Sequence, residues 1–112
     1  MGVAAWQHFV QDVHAWRGAL AEAMELSSGD SRRAKPLKKM NQHLWAMSPD
    51  APAIHIFAPV EVNNAAMHLL RNASDITREL KAGREVTPAR VQQFDSQKWN
   101  FVVLASGKFG LH

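Results

Sequence analysis

Histidines are the side chains of this sequence best suited to hold a metal ion or move a proton, and there are six of them. His8 and Asp12 stand four residues apart, which on a helix places both on one face as a possible ligand pair. His14 lies off that face, and the other histidines are scattered along the chain. Catalytic zinc needs at least three protein ligands, and no His-Glu-x-x-His motif is present. We therefore predict no metal site and interpret His8 and Asp12 as a surface ion pair.

The sequence also lacks the residue patterns of nucleophilic and acid–base catalysis. The chain has no cysteine, so disulfides and thiolate metal sites are excluded. No serine stands in a Gly-x-Ser-x-Gly elbow, and the glycines are too dispersed to cradle a phosphate. Glu22 and Glu25 are close together, but on the predicted wet face of a helix. These observations predict a protein that is not an enzyme, with no catalytic residue and no cofactor.

The strongest charged feature is a cluster of five cations within eight residues, formed by Arg32, Arg33, Lys35, Lys38 and Lys39. Without this cluster, the acidic side chains slightly outnumber the basic ones. Such a cluster could neutralise several phosphates and give salt-sensitive binding to nucleic acid. No helix with polar base-reading residues follows it, because the next turns are apolar. We interpret it as a solvated basic loop and keep a small nucleic-acid-associated protein, using residues 32–39, as the alternative.

Four tryptophans form the second unusual feature. Trp6 and Trp16 fall on an apolar helical stripe and are predicted to be core residues. Trp45 and Trp99 lie off the main stripes of their helices, and exposed aromatic residues mark interaction surfaces. With Val103 and Leu104, Trp99 could form a dimer face or the wall of an apolar pocket. Ordinary core packing against residues 54–57 is the alternative.

The stretches that must position these side chains carry apolar residues at intervals of three and four, which is typical of helices. The first predicted helix covers residues 3–27, the second begins near Lys35, the third covers residues 59–81, and the fourth begins at Thr87 and Pro88. The most regular stripe belongs to the third helix and comprises Val62, Ala66, Leu69, Ala73, Ile76 and Leu80. Each stripe needs an apolar partner, so the pattern predicts helices packed on one another.

Turn-forming residues at positions 27–31 separate the first two helices. One continuous helix from Val3 to Met47 is the alternative, but Pro36 would then cost about 3 kcal/mol in its interior. Residues 48–59 contain three prolines, which push the residues before them toward extended geometry. We therefore predict an extended Pro-rich segment there, lying as a lid across the end of the bundle.

Length and composition predict one helical domain over residues 1–112, of the all-α class. The expected architecture is a three- or four-helix, mostly antiparallel bundle. No apolar stretch is long enough to span a bilayer, and the N-terminus lacks the layout of a signal peptide. The expectation is a cytoplasmic protein with no membrane insertion.

The second half of the chain resembles helical-hairpin domains of uncharacterised actinobacterial proteins, over residues 50–112. The resemblance is carried by Ala58-Pro59-Val60-Glu61-Val62, Ala65-Ala66, Leu69-Leu70, the glycine turn, Phe94 and the terminal Phe109-Gly110-Leu111. In that group the domain often follows membrane-spanning helices, and its closing helix is rich in alanine and arginine. Here the corresponding residues 99–104 are strongly apolar. The resemblance implies an all-helical fold and implies no activity.

The function predicted from these residues is a non-enzymatic helical interaction module that forms a homodimer. Its contact surface is expected on the last two helices, at Trp99, Val103 and Leu104. An unidentified protein partner is compatible with the same surface. The alternatives are the nucleic-acid-associated protein described above and a bundle that binds an apolar ligand between its helices.

Overall fold

The computed structural model describes the backbone of residues 2–57 and 60–109, and the side chains of residues 7–47 and 60–106. These residues form α1 (Gly2–Met24), a short 3-10 turn (Ser31–Arg33), α2 (Ala34–Phe57), α3 (Val60–Lys81) and α4 (Pro88–Phe109). No strand occurs in the described residues. The all-α prediction is therefore confirmed, with four helices.

The helices pack in chain order around one core. α1 packs on α2, α2 on α3 and α3 on α4, and a lighter contact between α1 and α4 closes the ring. Short connections between long helices make sequential neighbours antiparallel. The bundle measures 44 × 24 × 21 Å, so its long dimension is set by the helix length.

The core consists of the apolar stripes that the sequence predicts. All six stripe residues of α3 are buried, and Phe9 and Trp16 of α1 are fully enclosed. Phe9 packs edge-on against Phe101 with ring centroids 5.2 Å apart, and Trp16 packs against Phe94 at 4.7 Å. The predicted core position of Trp6 lies outside the described side chains. Helix spacing therefore identified the core face of α3 and the core position of Trp16 on α1.

One buried hydrogen bond joins α1 to α3 across the bundle. The Trp16 Nε1–H donates to Thr77 Oγ1 at 2.9 Å, and the Thr77 hydroxyl donates to the Ala73 carbonyl at 2.8 Å. Both polar groups are thus satisfied inside the core, where an unpaired group costs free energy. This pair fixes the relative position of two helices that are not neighbours in the chain.

The end of α3 at Lys81 and the start of α4 after Thr87 agree with the predicted bounds. Gly83 adopts φ +79°, and the amides of Gly83 and Arg84 donate to the carbonyls of Leu80 and Glu79 at 3.0 and 2.9 Å. This is a Schellman arrangement, which needs a residue that tolerates left-handed backbone. At the start of α4, the Arg90 amide donates to Thr87 Oγ1 at 3.3 Å, as an N-cap does. The predicted break between the first two helices is also confirmed.

The prediction of an extended Pro-rich segment over residues 48–59 is wrong for residues 48–57. α2 continues without interruption to Phe57, through Pro49 and Pro52; Ala58 and Pro59 lie outside the described residues. Proline disfavours helical geometry in the residue before it and removes one N–H donor, but it does not forbid the helix. The helical turns on either side of each proline keep the chain in one long helix.

Candidate interaction surfaces

The outer face of α4 carries the predicted self-association residues Trp99 and Val103. Trp99 is 69% exposed and Val103 is 50% exposed, one helical turn apart. Leu104 is half-buried and packs against the core. It lies two turns beyond Gln97, whose Oε1 accepts a hydrogen bond from Asn72 of α3 at 3.0 Å, so it faces α3. The contact surface proposed from the sequence is thus reduced to Trp99 and Val103, with Leu104 at its edge.

Trp99 has polar neighbours on the same helix. A shallow hollow of about 510 Å³ is lined by Trp99, Gln92, Asp95 and Ser96. Asp95 is held toward α1 by Arg17, whose Nε donates to Asp95 Oδ1 at 2.8 Å. The Trp99 indole therefore stands on an exposed face of α4. The one acidic residue of this helix, Asp95, is already paired with Arg17.

A second apolar feature lies between α2 and α3. We call it the α2–α3 groove; it has a volume of about 380 Å³ and is lined by Leu44, Trp45, Met67, Leu70, Arg71, Ser74 and Asp75. Leu44 and Leu70 pack against the core and form its floor. Trp45, 70% exposed, and Met67, 40% exposed, stand beside the floor as walls. The sequence indicated Trp45 as off its stripe, but the groove itself depends on which helices are neighbours.

The basic cluster is divided by the fold. Arg32 pairs with Asp30, with Nη2 2.7 Å from Oδ2, and Lys39 pairs with Glu22 of α1 at 3.4 Å. The Arg32 side-chain hydrogen bond and then its amide lower the pKa of the Asp30 carboxyl to about 2. In the described part of the chain, Lys35 and Lys38 are the members of the cluster that are exposed and have no ion-pair partner.

Arg33 has a different environment from the rest of the cluster because it is buried, with 4% of its surface exposed. Its Nε donates to the Ala23 carbonyl at 2.9 Å, at the C-terminal end of α1, where a cation is favoured by the helix dipole. Its Nη1 lies 4.0 Å from Glu85 of the α3–α4 connection. Arg33 therefore ties the α1–α2 connection to the end of α1 and cannot reach a phosphate outside. Composition alone could not separate it from its exposed neighbours.

The four histidines whose side chains the structure describes, His8, His14, His43 and His68, do not assemble into a site. Asp12 lies 3.3 Å from the Nδ1 atom of His43 on α2, so its partner is not the predicted His8. Burial, and to a smaller extent the charge of Lys98, lower the pKa of His14. His68 lines a polar hollow between α3 and α4 together with Arg71 and other residues. Among the described residues, no group of three or more His, Asp or Glu side chains could hold a metal ion.

Comparisons of this chain with protein-family models, with curated proteins and with solved structures returned no match. The resemblance to actinobacterial helical-hairpin domains remains a prediction. None of the helices, over the residues described, is both long and apolar enough to cross a membrane.

Proposed function

We propose that this protein is a non-enzymatic helical interaction module that self-associates through the outer face of α4. The observation that carries the proposal is the exposure of Trp99, 69% of whose surface faces outward beside Val103. Covering an indole and a valine removes apolar surface from water, at about 25 cal/mol per Å². Tryptophan is also among the residues that contribute most to the stability of protein interfaces.

A twofold dimer is the simplest assembly for this surface. In such a dimer the same patch meets itself, so Trp99 and Val103 of one chain contact the α4 face of the other. α4 has 22 residues and is therefore about 33 Å long. A face about 10 Å wide gives roughly 330 Å² per chain, below the roughly 800 Å² of a standard interface. The proposal therefore predicts a weak dimer, or one in which flanking residues of α1 or α3 join the contact.

The test is the solution mass across a concentration series, from about 10 to about 500 µM, which spans weak dimerisation. We expect the weight-average mass to rise from 12.5 kDa toward twice that value. Trp99→Glu places a charge in the contact and should hold the mass at that of a single chain. Trp45→Glu is the matched control, because Trp45 is equally exposed but lies between α2 and α3. A single-chain mass throughout, or equal effects of both substitutions, would contradict the proposal.

The nucleic-acid alternative is tested by its salt dependence. Five phosphate contacts would give a log–log slope near −4.5 for duplex DNA, whereas Lys35 and Lys38 alone would give about −1.8. The pairing of Arg32 and Lys39 and the burial of Arg33 support the smaller value. A slope near −4.5 that is lost on charge reversal of Lys35 and Lys38 would favour the alternative over the interaction module. The cytoplasmic location stays part of the proposal.

A further inference from the structure

The α2–α3 groove continues along the bundle beyond the part described above. A second hollow of about 240 Å³ shares Leu44, Trp45 and Ser74 with it and extends to Asn41 and Lys81. Lys81 lies 14 residues after Met67 on α3, which corresponds to about 21 Å along the helix axis. The groove is therefore a channel about four helical turns long. Its apolar lining lies at one end and comprises Leu44, Trp45, Met67 and Leu70, whereas the α3 side of the other end is polar, with Ser74, Thr77, Arg78 and Lys81.

The rim of this channel is basic. Arg71 and Lys81 are exposed at its edge, and Lys81 Nζ is held there by donating to Asn41 Oδ1 at 3.2 Å. Arg78 and Asp75 pair at 2.8 Å and neutralise each other. Lys38 adds a further positive charge, two turns before Trp45 on the same side of α2. Of the described residues that line the channel, Asp75 is the one acid, so the rim has a net positive charge.

We propose that the α2–α3 groove binds an amphipathic α-helix of another protein, one whose apolar stripe is flanked by acidic side chains. A helix of about 14 residues matches the length of the channel and would place apolar residues at i, i+3 or i+4, and i+7 on its floor. Trp45 and Met67 would flank this stripe, and acidic side chains beside it would meet Arg71, Lys81 and Lys38. Opposite charge around an apolar contact favours one partner chemistry over others.

Among the side chains that the structure describes, the exposed apolar residues of the chain's own helices do not supply this partner chemistry. On α4, the exposed Trp99 has Gln92 and Ser96 beside it. The one acidic residue of α4, Asp95, is paired with Arg17. On α3, the exposed apolar residues are Met67, which lines the groove itself, and Val60, which is the first residue of the helix. A second copy therefore fits the groove less well than a foreign acidic helix. The proposal stands on the groove alone and holds whether or not α4 self-associates.

A small apolar ligand fits the groove less well than a helix. Ligand pockets bury 70–90% of the surface of their ligand. The α2–α3 groove has a floor of half-buried leucines and two walls that are largely exposed, and it runs along the surface between two helices. Such an open channel leaves one side of its occupant in water, as an amphipathic helix requires.

The experiment is a selection from a phage-displayed library of helical peptides of about 15 residues, with the 112-residue chain as target. We expect the selected sequences to carry apolar residues at helical spacing with Asp or Glu beside them. The dissociation constant of a selected peptide is then measured by fluorescence anisotropy. Trp45→Ala should weaken binding about thirtyfold, as loss of a central aromatic anchor does. Trp99→Ala is the matched control and should leave the affinity within about twofold, the range of a residue outside the interface.

The charge contribution is tested separately with the double substitution Arg71→Glu and Lys81→Glu. It should weaken the acidic peptide at low salt, and the difference should shrink as added salt screens the rim. A selection without acidic enrichment, or with no binder above background, would overturn the proposal. A peptide affinity that Trp45→Ala leaves unchanged would also overturn the proposal. If phosphatidylserine vesicles bind with the same Trp45 dependence while no peptide does, the groove meets a membrane surface instead, and the helix proposal is wrong.

Discussion

Gly18 and Gly83 show how the local backbone decides whether glycine stabilises or destabilises the fold. Gly18 lies inside α1, where glycine is unfavourable unless a second helix approaches closely. The structure shows no such contact, because Gly18 is exposed and a Cβ atom built there would meet nothing within 4 Å. Gly83 has equal space but stands at φ +79°, a conformation that strains other residues.

These environments predict opposite effects of the same substitution. Gly18→Ala should raise the free energy of unfolding by about 0.5–1 kcal/mol, because alanine loses less backbone entropy in a helix. Gly83→Ala should lower it by about 1–2 kcal/mol, because the left-handed backbone is strained by a Cβ atom. Urea unfolding followed by circular dichroism measures both. Destabilisation by Gly18→Ala would show that this face of α1 has a neighbour.

Asp30 predicts a pH dependence at the residue scale. Its pKa of about 2 lies below the usual 3.8 because Arg32 donates to its carboxylate. The folded state therefore favours the ionised form, so this contribution to stability is present above pH 3.8 and is lost as the pH falls toward 2. Carbon-13 NMR of the carboxyl group should give the low value in the wild type. In Arg32→Ala it should rise but stay below 3.8, because the backbone amide still donates; an unchanged value would contradict the assignment.

At the scale of the elements, the sequence predicted what depends on local spacing and missed what depends on neighbours. The stripe of α3, its end at Lys81 and the start of α4 after Thr87 depend on local signals, and all three predictions hold. Pro49 and Pro52 are also local signals, yet the turns around them keep α2 helical to Phe57. Neither the buried position of Arg33 nor the α2–α3 groove is a property of one helix.

The hydrogen bond between Trp16 and Thr77 predicts an energetic coupling between α1 and α3. Thr77→Val keeps the shape of the side chain but leaves the Trp16 Nε1–H buried without its acceptor. The loss should be about 1–3 kcal/mol in the free energy of unfolding. In the Trp16→Phe background the same substitution should cost less, because no indole donor remains to be orphaned. Equal costs in both backgrounds would show that the bond contributes nothing of its own.

At the scale of the whole molecule, two exposed tryptophans occupy different faces of one bundle. Trp99 stands on α4, and Trp45 stands beside the groove between α2 and α3. Neither side chain belongs to the buried core. We propose that the α4 surface meets a second copy of the chain and that the α2–α3 groove meets a helix of another protein.

A spin label on the outer face of α4 tests whether the α4 faces of two chains meet. The chain has no cysteine, so Ser96→Cys gives a single labelling position next to Trp99. Electron paramagnetic resonance on this labelled chain, at a concentration where the dimer forms, should show one short interspin distance. The distance should vanish when Trp99→Glu is added. Isolated spins at every concentration would contradict the proposed contact between the α4 faces.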